Sequence, residues 1–245
     1  MPTPDLQRRP VSRRAFIGSA AGMATAIALS RPSSMIAQDD DVNAILAAAS
    51  QRLADIESLH FTLRIDGDTF IDETQTLKLE SAEGDLARPD KVSVEFKVSL
   101  FGAGTVSIRM ITVGEDSWTT DLISGNWGDA PPEFGYNPSV LYDNQNGLGP
   151  VMGKLENPTL EGEEEVNDRD AHHIKGTASA ETIEPLTSGT MTGDNVEIEL
   201  WIDLETSDLL RVKVYEPESD EKENPATWEL NLSRFNEKVT IEPPV

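Results

Sequence analysis

The chain contains no cysteine. That excludes disulfides, thiol catalysis, iron–sulfur clusters, thiolate zinc sites and the acylated cysteine of a lipoprotein. Histidine is nearly as scarce, with three in 245 residues. His172 and His173 are neighbours in a strand-like stretch, so they point to opposite faces and do not share a metal; His60 stands apart. Basic residues are also few, 20 against 44 acidic, and the formal net charge is −24. A surface this negative argues against nucleic acid and against anionic membrane surfaces. No G-x-S-x-G, P-loop or G-x-G-x-x-G register occurs, and "GAGTVS" sits between two strand-like runs, not ahead of a helix. The sequence therefore points to no cofactor, no metal and no catalytic residue.

Long hydrophobic runs are also missing. The longest, Ala15 to Leu29 within "SRRAFIGSAAGMATAIAL", is short and rich in Gly, Ala and Ser. Arg13 and Arg14 stand directly ahead of it, which reads as a twin-arginine export signal over residues 1–37. A cleavage point is expected after Ala37, before the acidic Gln38-Asp39-Asp40-Asp41. The expected product is an exported envelope or extracellular protein, soluble after cleavage or held by an uncleaved N-terminal anchor. Residues 38–245 are then one domain.

What is present is alternation. A helix is expected over Asp39 to Leu59, where Val42, Ile45, Leu46, Ala49, Leu53 and Ile56 form one stripe and the Asp run caps the start. After it the period becomes two: Phe61, Leu63 and Ile65, then Leu77 and Leu79, then Val92 to Leu100, then Val106, Ile108 and Met110. "WGDAPPEFGYNPSVLYDNQNGLGPVMGKLENP" breaks the pattern and predicts two short helices, one opened by Asn137-Pro138 and one carrying Leu148, Val151, Met152 and Leu155. Strands are expected again at Gly162–Val166 and His172–Thr177, then as a hairpin turning at Glu205-Thr206-Ser207. A last pair is expected through Trp228, Leu230 and Leu232 and back through Val239 and Ile241. The acidic run Glu161 to Glu165 reads as a charged strand edge that discourages aggregation.

This gives about eleven one-sided antiparallel strands and few helices to cover them, an α+β chain. A sheet that curls round its helices covers the apolar face and leaves an apolar hollow. Val94, Phe96, Val98, Leu100, Ile108 and Met110 are the candidate sheet residues facing it, and Leu148, Val151, Met152 and Leu155 the candidate helix residues. Spacing alone leaves open whether they line a cavity or fill a core.

Several stretches carry a family resemblance. "NPSVLYDNQNGLGPVMGKLENPTLEGEEEVNDRDAHHIKGTASA", with its Asn137-Pro138, Gly147-Leu148 and Ile174-Lys175-Gly176 elements, resembles the middle of the LppX/LprA/LprF/LprG family of mycobacterial envelope lipoproteins. "LWIDLETSDLLRVKVY", with Trp201-Ile202, and "ELNLSRFNEKVTIEPP" are similar to that family's later strands, and "RMITVGEDSWTTDLISGNW" to the stretch before its middle helices. The resemblance runs from about Asp41 to the C-terminus. It implies a strongly curved antiparallel half-barrel with helices on the concave side, related to the LolA/LolB carriers, and an apolar cavity that binds acylated lipid or glycolipid. It also implies transient contact with membrane or envelope transport proteins. Family members usually carry a lipobox cysteine; here a twin-arginine segment stands in its place.

Three functions follow as expectations. The first is an exported lipid-binding or lipid-transfer protein. The second is a cell-surface structural or protein-interaction module with a filled core. The third is an envelope enzyme, which would need polar residues converging in the cavity, with His60 or His172 first among them.

Overall fold

Residues that alternate apolar and polar satisfy their backbone only by pairing with a neighbour, and this chain pairs nearly all of them in one sheet. In a computed structural model of the protein, the described residues are 35–71, 75–100, 104–131, 140–141, 143–187, 189–191, 195–218 and 224–244, with side chains described from residue 41 onward. The predicted Asn137-Pro138 helix start and the arginine-led segment through residue 34 lie outside them.

Helix α1 (Met35–Ala54) leads into strands β1 (Ser58–Asp66), β2 (Leu77–Ala87), β3 (Lys91–Leu100), β4 (Gly104–Val113), β5 (Asp116–Thr120) and β6 (Trp127–Asp129). Then come helix α2 (Leu148–Met152), β7 (Glu156–Val166), β8 (Arg169–Ala178), helix α3 (Ala180–Thr187), β9 (Val196–Asp203), β10 (Leu209–Tyr215) and β11 (Thr227–Ser233). All eleven strands form one curved, open antiparallel sheet in the order β6-β5-β4-β3-β2-β1-β11-β10-β9-β8-β7. The two meanders, β1 to β6 and β7 to β11, are joined where β1 pairs with β11, His60 opposite Ser233 through Asp66 opposite Thr227.

Three sequence expectations are corrected. First, α1 ends at Ala54, not Leu59. Arg88 ends it by donating from Nε to the Ile56 carbonyl (2.8 Å) and from Nη2 to the Leu53 carbonyl (3.3 Å), which satisfies acceptors a longer helix would have used itself. Second, the Asp run does not cap α1. Among the described residues the helix already runs from Met35, because Met, Ile, Ala and Gln carry no break ahead of Asp39; the predicted cleavage point after Ala37 thus lies within α1. Third, Val239 and Ile241 do not return beside β11. Both edges of β11 are taken, by β1 and β10, so the final segment crosses without pairing, burying Ile241.

The predicted turn after β9 is present. Asp203 Oδ1 accepts from the Glu205 and Thr206 amides (3.0 and 2.7 Å) and the Thr206 hydroxyl (2.8 Å). The acidic run falls on β7, an edge strand, with Glu161, Glu163 and Glu165 exposed.

One continuous apolar core lies on the inner face. Val42, Leu46, Ala49 and Leu53 of α1 join Leu59, Phe61, Val92, Val94, Ile198 and Leu200 of the sheet in it. Helix α1 also packs on α2, where a Cβ at Gly149 would come within 3.0 Å of the Ser50 hydroxyl. Gly147, just ahead of α2, has no room for any side chain: a Cβ there would sit 2.5 Å from the Asp143 carbonyl oxygen.

Candidate functional site

Helix α1 packs on part of the inner face through Val42, Leu46, Ala49 and Leu53, and the two short helices beside it do not fill the rest. Helix α2 has five residues and α3 eight, against eleven strands. Between them and the sheet remains a hollow of about 420 Å³. Its floor is Phe61 and Leu63 of β1, Leu79 and Ala82 of β2, Phe96 of β3, Met110 of β4, and Ile198, Leu200, Val212, Val214, Trp228 and Leu230 of β9 to β11. Its roof is Leu141, Leu148, Val151, Met152, Leu155, Ile183 and Leu186, and Phe70 and Ile71 close it further.

Among the described residues no charged side chain lines this space, and its polar side chains are three threonines and the Trp228 indole. Thr69 Oγ1 accepts from Trp228 Nε1 at 3.1 Å. The Thr187 hydroxyl donates to the Ile183 carbonyl (3.2 Å) and the Thr190 hydroxyl to the Thr187 carbonyl (2.6 Å). These hydroxyls are engaged within the protein, so the hollow offers an incoming molecule dispersion and exclusion of water, not polar recognition.

Six of the ten candidate residues line the hollow: Phe96, Met110, Leu148, Val151, Met152 and Leu155. Four do not. Val94, Val98 and Ile108 are buried in plain core, Val98 and Ile108 at 0 % exposure, and Leu100 is half-buried at the end of β3. The reason is register. Val94 pairs with Met110 and Phe96 with Ile108, and of each pair only one side chain reaches the space. The β1 and β9–β11 residues of the floor went unread. Their alternation was plain, but the pairing that sets β11 beside β1 joins segments about 160 residues apart and leaves no local trace.

Neither His60 nor His172 lines the hollow. His60 is not isolated. On the outer face its Nδ1 meets Asp85 at 2.8 Å and contacts Arg234. His173 is on the outer face too, stacked on Trp201 with ring centroids 4.4 Å apart and held between Glu164 (3.0 Å) and Glu199 (2.9 Å). The Trp201 Nε1–H bond holds the Glu164 carboxyl below its ordinary range, helped by His173. Burial pushes Glu199 up, but hydrogen bonds from Lys175 and His173 outweigh it and leave it lowered.

Sheet, short helices and uncharged hollow together define a protein built round an apolar interior space. The chain belongs to the LppX_LprAFG lipoprotein family, which it matches over residues 41–241. It is 24% identical over 169 residues to the putative diacylated glycolipid transporter LprF of Mycobacterium tuberculosis, covering 64% of this chain and 60% of that protein's length. It is 24% identical over 249 residues to the lipoarabinomannan carrier protein LprG of Mycolicibacterium smegmatis, covering 98% of this chain and 99% of the relative. The crystal structure of LprF from Mycobacterium bovis superposes with a TM-score of 0.66 at 21% identity, over 84% of this chain and 97% of that one. That of Mycobacterium tuberculosis LppX does so with a TM-score of 0.58 at 16% identity, over 83% and 100%. These similarities establish the fold; among the described residues no helix is long and apolar enough to cross a membrane.

Proposed function

We propose that the protein is an exported carrier that holds the acyl part of a lipid or glycolipid in the hollow between the sheet and helices α2 and α3. The observation that carries this reading is the apolar lining of that space, uncharged among the described residues. The names of its relatives LprF and LprG support it. A water molecule takes ~30 Å³ of liquid; counting a methylene as roughly one such volume, 420 Å³ has room for on the order of fourteen, about one acyl chain. Burial gains about 0.8 kcal/mol per CH₂, so a sixteen-carbon chain releases on the order of 12 kcal/mol before the costs of ordering and desolvation. An apolar lining gives a polar headgroup nothing to bond to, so the headgroup stays at the surface, free to contact a membrane or an envelope transport protein. No step of this function requires chemistry on the ligand.

The test is transfer of a fluorescent palmitoyl lipid from donor to acceptor vesicles. The carrier reading expects the protein to accelerate transfer and Met152→Trp to suppress it. Transfer at the protein-free rate contradicts it. A filled-core interaction module is the second reading, and the open space under α2 and α3 speaks against it.

A further inference from the structure

The outer face of the same sheet carries a second hollow, of about 910 Å³, across β11, β1, β2, β3, β4 and β6. It is polar, and its charges are unevenly satisfied. At the β11–β1 end the cation is matched: Arg234 Nη2 lies 3.2 Å from Asp85. In the middle it is not. Arg64, Lys97 and Arg109 all line this hollow and all are exposed. None of their charged groups has an ion-pair or hydrogen-bond partner among the described residues.

Elsewhere Lys78, Arg169, Lys175, Arg211 and Lys213 each meet a carboxylate. Exposed Lys154 and Lys238 also lack an ion pair among the described residues, but they stand singly; what sets this trough apart is that three such cations share it. Three unpaired cations in one trough leave a place for negative charge brought from outside.

Their spacing describes its bearer. Arg64 pairs across with Ser81, and Ser81 with Lys97, so Arg64 and Lys97 stand two strand spacings apart, roughly 10 Å. Arg109 lies one strand and two residues beyond Lys97, roughly 8 Å. At the far end the Arg109 guanidinium sits 5.2 Å from the centre of the half-exposed Trp127 ring. Between the cations, Glu83 and Glu95 line the floor as acceptors, and Glu229, across the sheet pair from Arg64, is taken by Lys213.

A phosphodiester chain, dense in charge and poor in donors, would be repelled by those glutamates. A flat anionic bilayer would meet them too. An acidic glycan satisfies every part: hydroxyls donate to the glutamates, carboxylates or sulfates spaced along the chain meet the cations, and a sugar C–H face covers Trp127. We propose that this outer trough is a binding site for an acidic oligosaccharide, separate from the apolar hollow on the inner face.

The test is calorimetric titration of the full chain with a galacturonate hexamer, with maltohexaose as the neutral control. The site predicts binding that weakens as salt rises, at least about tenfold preference for the uronate, and about tenfold or more loss in the combined variant Arg64→Gln, Lys97→Gln, Arg109→Gln. Trp127→Ala weakens binding severalfold without abolishing the charge preference. Each single Arg or Lys to Gln variant is measured as well, with palmitoyl-lipid uptake as the check that the fold persists. No uronate binding at millimolar concentration, equal affinity for the neutral hexamer, or unchanged affinity in the triple variant each overturns the proposal. So does pelleting with anionic vesicles, lost in the triple variant, in a protein that ignores the uronate.

Discussion

On the inner face, Phe61, Leu63, Leu200 and Leu230 look into space that two short helices leave open. On the outer face, the alternate residues of β8 to β11 are locked to one another. His173 stacks on Trp201, Lys175 reaches Glu199 at 2.8 Å, and Lys213 reaches Glu229 at 3.1 Å. The contrast assigns different tasks to residues one position apart on the same strand. A hollow of 420 Å³ forfeits dispersion contacts that its lining would otherwise make. The apolar core around it, the outer face and the turn network at the end of β9 hold the sheet.

That division makes the turn network the costliest place to cut. Arg169 bridges Asp203 and Asp208, both at 2.8 Å, and the two carboxylates are 6% and 5% exposed. Arg169→Met strands two buried carboxylates, with only Arg52 left on Asp208 (2.7 Å), and should cost about 3 kcal/mol in urea unfolding. A loss below about 0.5 kcal/mol would show that the network does not hold the fold.

One substitution tried on the two sides of the hollow's boundary sharpens the comparison. Val98→Trp overfills plain core and should cost about 1–3 kcal/mol while the folded protein still takes up lipid. Met152→Trp enters the hollow and should cost under about 1.5 kcal/mol yet lower uptake about tenfold. The reverse pattern would mean that the boundary between core and cavity is misplaced.

On the outer face, His173→Leu keeps an apolar side chain against Trp201 but loses the ring stack and leaves Glu199, nearly buried, without one of its donors. It should cost about 1–2 kcal/mol in the same assay and leave uptake unchanged. A fall in uptake would couple the two faces.

The smallest effect is on pH. Glu164, Glu199, Asp203 and Glu229 are all held below their ordinary range. Such groups bind their proton more weakly folded than unfolded. Their stabilisation is therefore present above about pH 4.5, the ordinary carboxylate range, and is lost as pH falls through the lowered folded values. Thermal midpoints should hold from pH 7 to about 5 and drop below about 4. In Arg169→Met the drop should be shallower, because Asp203 loses a group that lowers it.

Much of the fold could be read from side-chain type alone. Alternation marked which residues face inward on β1, β3, β4, β9, β10 and β11, and the Glu-Thr-Ser turn gave the β9–β10 hairpin its place. Helix α3 was not placed, although Ser179, whose hydroxyl accepts from the Thr182 amide at 3.2 Å, is an N-cap signal. Pro185 inside that helix obscured it. Strand β6 is three residues in a Gly- and Pro-rich stretch, too short to show a period. For the hollow, the roof residues of α2 were legible because a helical stripe is local. Most of the floor was not, because it is assembled by the β1–β11 pairing between the ends of the domain.

The central claim is tested most directly by native mass spectrometry of the purified chain, with organic extraction of what travels with it. A carrier emerges with a mass excess that extracts as acyl lipid, and Met152→Trp emerges without it. A bare-chain mass that stays bare after incubation with mixed lipid vesicles would contradict the carrier account.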